Sequence, residues 1–141
     1  MKRLFFIFVA LSAALLLGMS CKKQVDTRHD DRDSETTISL EVREERPSSI
    51  YLSAQVFTTR TITEAGIVWC EKQFSDAPRL GDPNTYSGTV SNVGDHGFTY
   101  MLSGLVPGGT VSYAIVAYLK VDVNGTIKTI YSNTCIATTQ Q

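Results

Sequence analysis

The stretch that decides the fold is VSYAIVAYLKVDVNGT, residues 111–126. One face of it carries only apolar side chains: Val111, Tyr113, Ile115, Ala117 and Leu119. Alternation with a period of two is typical of a β-strand that lays one face on a core. The stretch ends in Asn124-Gly125, which favours a type I′ hairpin because both central residues of that turn need a positive φ. The first predicted element is therefore a long strand followed by a tight return.

The same period recurs on both sides of this strand. The alternating or strand-like segments are residues 36–43, 50–58, 65–70, 85–90, 98–102, 126–132 and 135–138. Turn-forming Gly, Pro, Asn and Asp residues separate them. About seven short strands over roughly 100 residues predict an all-β fold, an antiparallel β-sandwich.

The N-terminus has the organisation of a secretory signal. Two cations, Lys2 and Arg3, precede an apolar run over residues 4–17, and small or flexible residues lead to Cys21. The run is shorter than the roughly 20 residues that a membrane-spanning helix needs. We therefore predict a cleaved signal peptide at residues 1–20.

The ending Leu-Gly-Met-Ser-Cys21 resembles a bacterial lipobox. The resemblance implies that Cys21 is acylated, becomes the first residue of the mature protein, and anchors it to a membrane. We expect a lipid-anchored protein of the cell envelope, at the outer membrane, with its periplasmic or outward face left open by the sequence.

The sequence predicts a disordered tether at residues 21–35 and a folded domain at residues 36–141. Only one apolar residue occurs between Lys22 and Glu35, so the segment has too little to bury to offset its ordering entropy. His29 stands among several aspartates there. A metal site is one interpretation, but a solvated spacer is favoured because a flexible cluster loses much entropy when it organises around an ion.

Three motifs resemble the fibronectin type III-like domains of Bacteroidetes-type lipoproteins. They are LVPGGT at residues 105–110 with the strand that follows, EAGIVW at residues 64–69, and the closing hairpin around Asn124-Gly125. The resemblance covers residues 36–139 and implies an immunoglobulin-like, fibronectin type III-like sandwich of about seven antiparallel strands. That family usually places a tyrosine four residues after the corner proline, where this chain has Val111. Either Tyr113 takes its role from a shifted corner, or the tyrosine hydrogen bond is absent.

Charge and catalytic residue types point away from several function classes. Loss of the signal leaves 11 Lys and Arg against 14 Asp and Glu, a net charge of −3, which does not suit nucleic acid. His96 is the one histidine of the predicted domain, and it lies in a turn beside Gly97. Asp122 and Asn124 could offer oxygens to calcium, but two ligands are too few, and a plain turn is favoured. We expect a non-catalytic protein without cofactor or metal.

Cys70 and Cys135 are the cysteines left after Cys21 is assigned to the lipid. A disulfide between them is permitted in an oxidising compartment. The predicted strands, however, place them about 10 Å apart across an intervening strand, which is too far for a bridge.

Two candidate interaction surfaces follow from the strand faces and the loops. The residues predicted to face outward as an apolar patch are Val68, Cys70, Ala114, Val116 and Tyr118. The alternative is that residues 71–90, or those after Cys135, cover them. The predicted loop surface comprises Arg60, Asp122, Asn124 and Gly125.

These surfaces predict an interaction module that binds an unidentified protein partner through a sheet face or loops. Self-assembly into an envelope structure, for instance through an edge strand near residues 126–131, is an alternative. A glycan-binding module is another, with Tyr51, Phe57 and Tyr118 as candidate aromatic contacts.

Overall fold

A computed structural model describes residues 21–22 and 30–140 of the chain. The signal peptide, His29 and Lys23 lie outside the described residues. The strands are β1 (Cys21–Lys22), β2 (Thr36–Glu45), β3 (Ile50–Thr58), β4 (Thr61–Glu71), β5 (Tyr86–Thr89), β6 (Gly97–Leu102), β7 (Ser112–Val123) and β8 (Thr126–Thr138). The described residues form no helix, and hence none that could cross a membrane.

The strands form two antiparallel sheets. One sheet has five strands in the order β1-β8-β7-β4-β5, and the other has three in the order β2-β3-β6. Their apolar faces share one core cluster. The predicted all-β fold with about seven antiparallel strands in a sandwich is therefore confirmed, with the two-residue β1 added at one edge.

Side-chain alternation explains the core between the sheets. On β3 the four inward residues Ile50, Leu52, Ala54 and Val56 are all buried. On β7 the inward face from Tyr113 to Leu119 is buried in the same cluster. Each of these side chains leaves water for an apolar contact, a gain of about 25 cal/mol per Å² of apolar surface. The inward faces were predicted correctly from the period alone.

Asn124 and Gly125 form the predicted hairpin turn. Their φ angles are 53° and 90°, the positive values that a type I′ turn requires. The Gly125 N–H donates to the Asp122 carboxylate at 2.7 Å. One oxygen of Asp122 thus stabilises the turn.

Tyr113 makes the corner hydrogen bond that the sequence left open. Its hydroxyl accepts from the Val106 N–H at 2.9 Å, so the first alternative holds. The Val106 carbonyl in turn accepts from the Thr139 hydroxyl at 2.7 Å. The corner is therefore joined both to the start of β7 and to the end of the chain.

Residues 30–35 differ from the predicted tether. Asp33 accepts hydrogen bonds from the Arg60 guanidinium, both at 3.2 Å. Asp31 accepts from the Thr129 N–H at 3.1 Å. The prediction of disorder up to residue 35 is wrong for this part, because its carboxylates find cations and backbone donors on the sandwich.

Candidate recognition site

The predicted apolar patch is not a surface. Its five residues are each exposed by 1% or less: Val68, Cys70, Ala114, Val116 and Tyr118. They do lie on the sheet face opposite the inter-sheet core, since none belongs to that cluster. The prediction of their direction was right, and the prediction that they are exposed was wrong.

The segment between β4 and β5 covers this face, and we call residues 72–85 the covering loop. Pro78 is fully buried. The Leu80 N–H donates to the Tyr131 hydroxyl at 3.2 Å, and the Cys70 thiol lies 3.6 Å from the Ser75 carbonyl oxygen. The patch is therefore covered rather than exposed, and the cover comes from within residues 71–90.

An ion pair between Asp30 and Arg79 fastens the covering loop, and we call this pair the clasp. The Arg79 Nη2 lies 2.8 Å from an Asp30 carboxylate oxygen, and its Nε donates to the same carboxylate at 3.1 Å. The Arg79 guanidinium carbon also lies 4.4 Å from the centre of the Tyr131 ring, a cation–π distance. The clasp therefore joins the N-terminal segment, the covering loop and β8.

Tyr118 and Glu64 form a polar contact at the margin of the covered face. The Tyr118 hydroxyl donates to the Glu64 carboxylate at 2.8 Å, and Lys120 lies 3.4 Å from the same oxygen. The Tyr118 bond, with Lys120 beside it, lowers the pKa of Glu64. Burial, followed by the Glu64 contact, raises the pKa of Tyr118. The Glu64 carboxylate and the Tyr118 hydroxyl are thus hydrogen-bonded to each other.

The predicted loop surface does come together, but its cation is engaged. Thr61, next to Arg60, pairs with Asp122 across β4 and β7, so Arg60 lies near the hairpin of Asn124 and Gly125. Arg60 is ion-paired with Asp33 and Glu35, each at 3.2 Å. Its guanidinium is therefore already held by the N-terminal segment.

The reactive residue types of the domain have structural surroundings. Cys70 is a free, buried thiol, and burial raises its pKa, which disfavours the nucleophilic thiolate. It therefore forms no bridge with Cys135, as the strand placement predicted.

His96 is exposed, as predicted for a turn residue, and its carbonyl accepts from the Val56 N–H at 3.1 Å. Within residues 30–140, no three His, Cys, Asp or Glu side chains gather as metal ligands do.

Sequence reasoning missed an aromatic cluster at the opposite edge of the larger sheet. The Trp69 and Tyr86 rings stack with centroids 6.1 Å apart and an interplanar angle of 28°. Tyr100 of the other sheet lies 6.5 Å from Trp69 at 43°. Tyr86 is 65% exposed, whereas Trp69 and Tyr100 pack partly against the core. We call these three side chains with strand β5 the aromatic edge.

The backbone of β5 gives this edge a second feature. The Val90 N–H donates to the Ala65 carbonyl at 2.8 Å, and Gly88 and Tyr86 follow at two-residue steps in the same register with β4. Because antiparallel pairing alternates, Ser87 and Thr89 direct their N–H and C=O groups away from β4. Within the described residues β5 is the last strand on this side of the sheet, so no strand there meets those groups.

Gly88 makes the close packing of the aromatic edge possible. A Cβ at this position would collide with the Tyr100 hydroxyl and lie 2.9 Å from its ring carbon Cζ. The absence of a side chain thus lets Tyr100 cross to the larger sheet beside Trp69. Tyr86 and Gly88 alternate along the chain as residues on one face of a strand do, but the turn-rich region around them concealed the register that places Tyr86 opposite Trp69.

No protein-family model matches this chain, and no curated protein sequence matches it significantly. The fibronectin type III resemblance therefore stays a prediction from the motifs.

Proposed function

We propose that this protein is a non-catalytic binding module, lipid-anchored in the cell envelope through Cys21, that recognises a protein partner through its aromatic edge. The observation that supports this best is the exposed Tyr86 ring, stacked on Trp69 beside the unpaired side of β5. The fibronectin type III-like motifs, the signal peptide and the lipobox support the same class of protein.

The aromatic edge has the physical properties of a binding anchor. Tyrosine and tryptophan offer large, amphipathic contact areas with few rotatable bonds, and they dominate the energetics of many interfaces. Trp69 is held by the core, so Tyr86 rests on a rigid support. Little conformational entropy would be lost when a partner covers this pair.

Strand addition is the mode of binding that suits the β5 backbone. The outward N–H and C=O groups of Ser87 and Thr89 can pair with an extended segment of another protein. Exposed edge strands that lack a partner are templates for such pairing. Tyr86 would supply the side-chain contact next to this ladder.

A glycan is a second candidate ligand, favoured by the same stacked pair. Two aromatic rings inclined at only 28° present an apolar face of the kind on which a sugar ring can stack. The two candidates differ in what they need, since a glycan requires the Tyr86 ring and a strand requires the β5 backbone as well.

The proposal of a non-catalytic role draws on how the domain uses its reactive groups. Glu64 is bound by Tyr118, Arg79 by Asp30, and Arg60 by Asp33. Each of these contacts lowers the freedom of an acid or a cation to act on a substrate. They are contacts that position strands and loops.

Site-specific photocrosslinking tests the recognition surface. We expect a benzophenone amino acid at position 86 of the chain, expressed in its native envelope, to crosslink to a discrete partner. Position 57 is the matched control, because Phe57 is 64% exposed on the outer face of the smaller sheet. Equal crosslinking at both positions, or none at position 86 together with no Tyr86-dependent signal on a glycan array, would contradict the proposal. Crosslinks only between copies of this chain would indicate self-assembly instead.

The anchor is tested separately by intact mass. We expect the mature protein to begin at Cys21 and to carry acyl chains, and Cys21→Ser to remove them. Cys135 is disulfide-bonded and lies opposite Cys21 in the register of β1 and β8, so a disulfide between the two is the competing fate of the Cys21 thiol. A non-reduced mass that shows the disulfide and no lipid would contradict the anchor.

A further inference from the structure

The edge strands on the two lateral sides of the sandwich are protected to different degrees. On one side β2 is the outer strand of the smaller sheet, and its Leu40 backbone is already paired with a side chain. The Leu40 N–H donates to the Asn133 side-chain oxygen at 2.9 Å, and the Leu40 carbonyl accepts from the Asn133 amide nitrogen at 3.0 Å. β2 also has a bulge between Val42 and Glu44 and several charged side chains. Bulges, charges and covers of this kind prevent an edge strand from pairing with another chain.

The N-terminal segment covers β8, the strand of the larger sheet that packs against β2 on the same side. The Asp31 carboxylate accepts from the Thr129 N–H at 3.1 Å. The Arg32 carbonyl accepts from the Lys128 ammonium group at 3.3 Å. Other parts of the chain therefore already contact both strands on this side.

On the opposite side the last strands, β5 and β6, have none of these devices within the described residues. Neither strand contains a charged residue or a proline, and neither has a register shift in its pairing. The outward backbone groups of β5 are those of Ser87 and Thr89, as described above. Both of these residues are exposed.

Strand β6 also directs backbone groups outward. The Val56 N–H donates to the His96 carbonyl at 3.1 Å, and the pair of Ala54 with Phe98 follows two residues further along the same register. Antiparallel alternation therefore turns the N–H and C=O of Thr99 away from β3. Both sheets thus end in an unprotected edge on the side of the aromatic rings.

A strand added beside β5 would have two chemically different faces. Directly opposite residues of paired strands share a face, so side chains opposite Ser87 and Thr89 would lie on the outer face of the sheet. Side chains opposite Tyr86 and Gly88 would point between the two sheets, toward Tyr100, whose hydroxyl lies over Gly88. A charge there would leave water without a counter-ion on β5 or β6, at a high cost. The inward positions therefore require apolar side chains.

We propose that the partner is an extended segment of another protein, with apolar and uncharged side chains at alternate positions, which adds to the larger sheet beside β5. This inference rests on the proposed function and specifies its ligand. The absence of charge along β5 and β6 selects an occupant of this chemistry. The segment pairs with the backbone of Ser87 and Thr89, and its apolar side chains cover the Tyr86 ring, which is 65% exposed.

Selection of peptides tests the chemistry of the occupant. The probe is a phage-displayed library of random nine-residue peptides, selected against the immobilised full chain. We expect the enriched peptides to carry apolar residues at alternate positions and no charge at those positions. Enrichment of charged or non-alternating sequences, or of no sequence at all, overturns the inference.

Proline substitutions test the strand that receives the peptide. Thr89→Pro removes an outward N–H and leaves the bonds to β4 intact, because proline is tolerated where the N–H of an edge strand faces away from the sheet. We expect it to weaken binding of the selected peptides by about tenfold or more, since one hydrogen bond is lost and its partner is left unpaired. Thr99→Pro, the matched change on β6, should weaken binding by less than about twofold. Equal effects of the two substitutions overturn the inference, and urea denaturation checks that both variants are folded.

A second measurement applies if Thr89→Pro does not fold. N-methyl groups on one alternate set of peptide amides should weaken binding to the wild type by about tenfold or more, and those on the other set by less than about twofold, because only one set faces β5. Equal effects of the two sets overturn strand addition.

The outcomes separate this inference from the proposed function. If position 86 crosslinks to a partner but peptide binding is insensitive to Thr89→Pro, strand addition is overturned and the recognition surface stands. If position 86 gives neither a crosslink nor a Tyr86-dependent glycan signal, the proposed function itself fails. A dimer in light scattering that Thr89→Pro dissociates places a second copy of this chain beside β5 and overturns the inference.

Discussion

Asp30 and Arg79 are 49 positions apart in the chain, yet one carboxylate of Asp30 accepts from both Nε and Nη2 of Arg79. The Arg79 side chain is only 11% exposed and lies over Tyr131. Three separate stretches of sequence meet at this pair. The clasp therefore fastens the covering loop to Asp30, a residue that the sequence pattern assigns to the tether.

Removal of the clasp cation should destabilise the domain. Arg79→Met keeps most of the side-chain length but loses the ion pair and the cation above Tyr131, so we expect the free energy of unfolding to fall by about 1–3 kcal/mol. Urea denaturation of the mature chain measures this. Arg43→Met is the matched control, since Arg43 pairs with Glu41 at 2.8 Å while both are more than half exposed. It should change stability by less than about 0.5 kcal/mol, and equal losses in the two variants would argue against a special role for the clasp.

Asp33 should make stability depend on acid pH. Its hydrogen bonds from Arg60, and then from Thr36, lower the pKa of Asp33 below its ordinary value. A lowered pKa in the folded state gives a stabilisation that is complete above the unfolded value, about 3.9, and is lost as the pH falls through the folded value. We expect the stability difference between wild type and Asp33→Asn to be largest at neutral pH and to shrink below about pH 4. A difference that stayed constant over that range in denaturation curves would contradict the assignment.

The strands could be predicted because the pattern that indicates each strand lies within that strand's own sequence. Alternation on β3 and β7 names the inward residues without knowledge of any partner strand, and Asn124-Gly125 needs only its own backbone preference. The direction of Val116 and Tyr118, away from the inter-sheet core, followed from the same period.

What failed depends on contacts between distant positions. The covering loop has no period of its own, so nothing local shows that Pro78 is buried over the sheet. Asp30 and Asp33 read as solvated carboxylates until Arg79 and Arg60 are placed next to them. Tyr86 becomes part of a site only through its register with Trp69 on β4.

Tyr118 should govern stability at high pH. Burial, and then the Glu64 carboxylate, raise the pKa of Tyr118, so the folded protein resists its ionisation. The stabilisation is complete below the unfolded value, about 10, and is lost as the pH rises beyond it. Tyr118→Phe should remove that part of the alkaline loss, although Tyr131, whose pKa burial also raises, retains its own.

At neutral pH the same substitution should cost about 1 kcal/mol, because a hydrogen bond to a charged acceptor is lost while Glu64 remains partly in water. Tyr86→Phe is the control for the loss of an exposed phenol and should change stability by less than about 0.5 kcal/mol. Denaturation of the three proteins across neutral and alkaline pH measures both effects. An alkaline loss in Tyr118→Phe as large as in wild type would show that this phenol is not responsible.

Gly97, the first residue of β6, should tolerate no side chain. Its φ is +136°, and a Cβ there would collide with the Ala54 carbonyl oxygen and lie 2.9 Å from the carbonyl carbon. Both atoms belong to the backbone of the central strand β3, which cannot move aside without disturbing its pairing with β6. We expect Gly97→Ala to lower the free energy of unfolding by about 2–4 kcal/mol.

Gly81→Ala is the control that separates the steric collision from the strain of a positive φ. Gly81 also has a positive φ, +85°, but a Cβ there would have nothing within 4 Å. It should cost only about 1 kcal/mol. Equal losses in urea denaturation would mean that φ alone, and not the contact with Ala54, requires glycine at position 97.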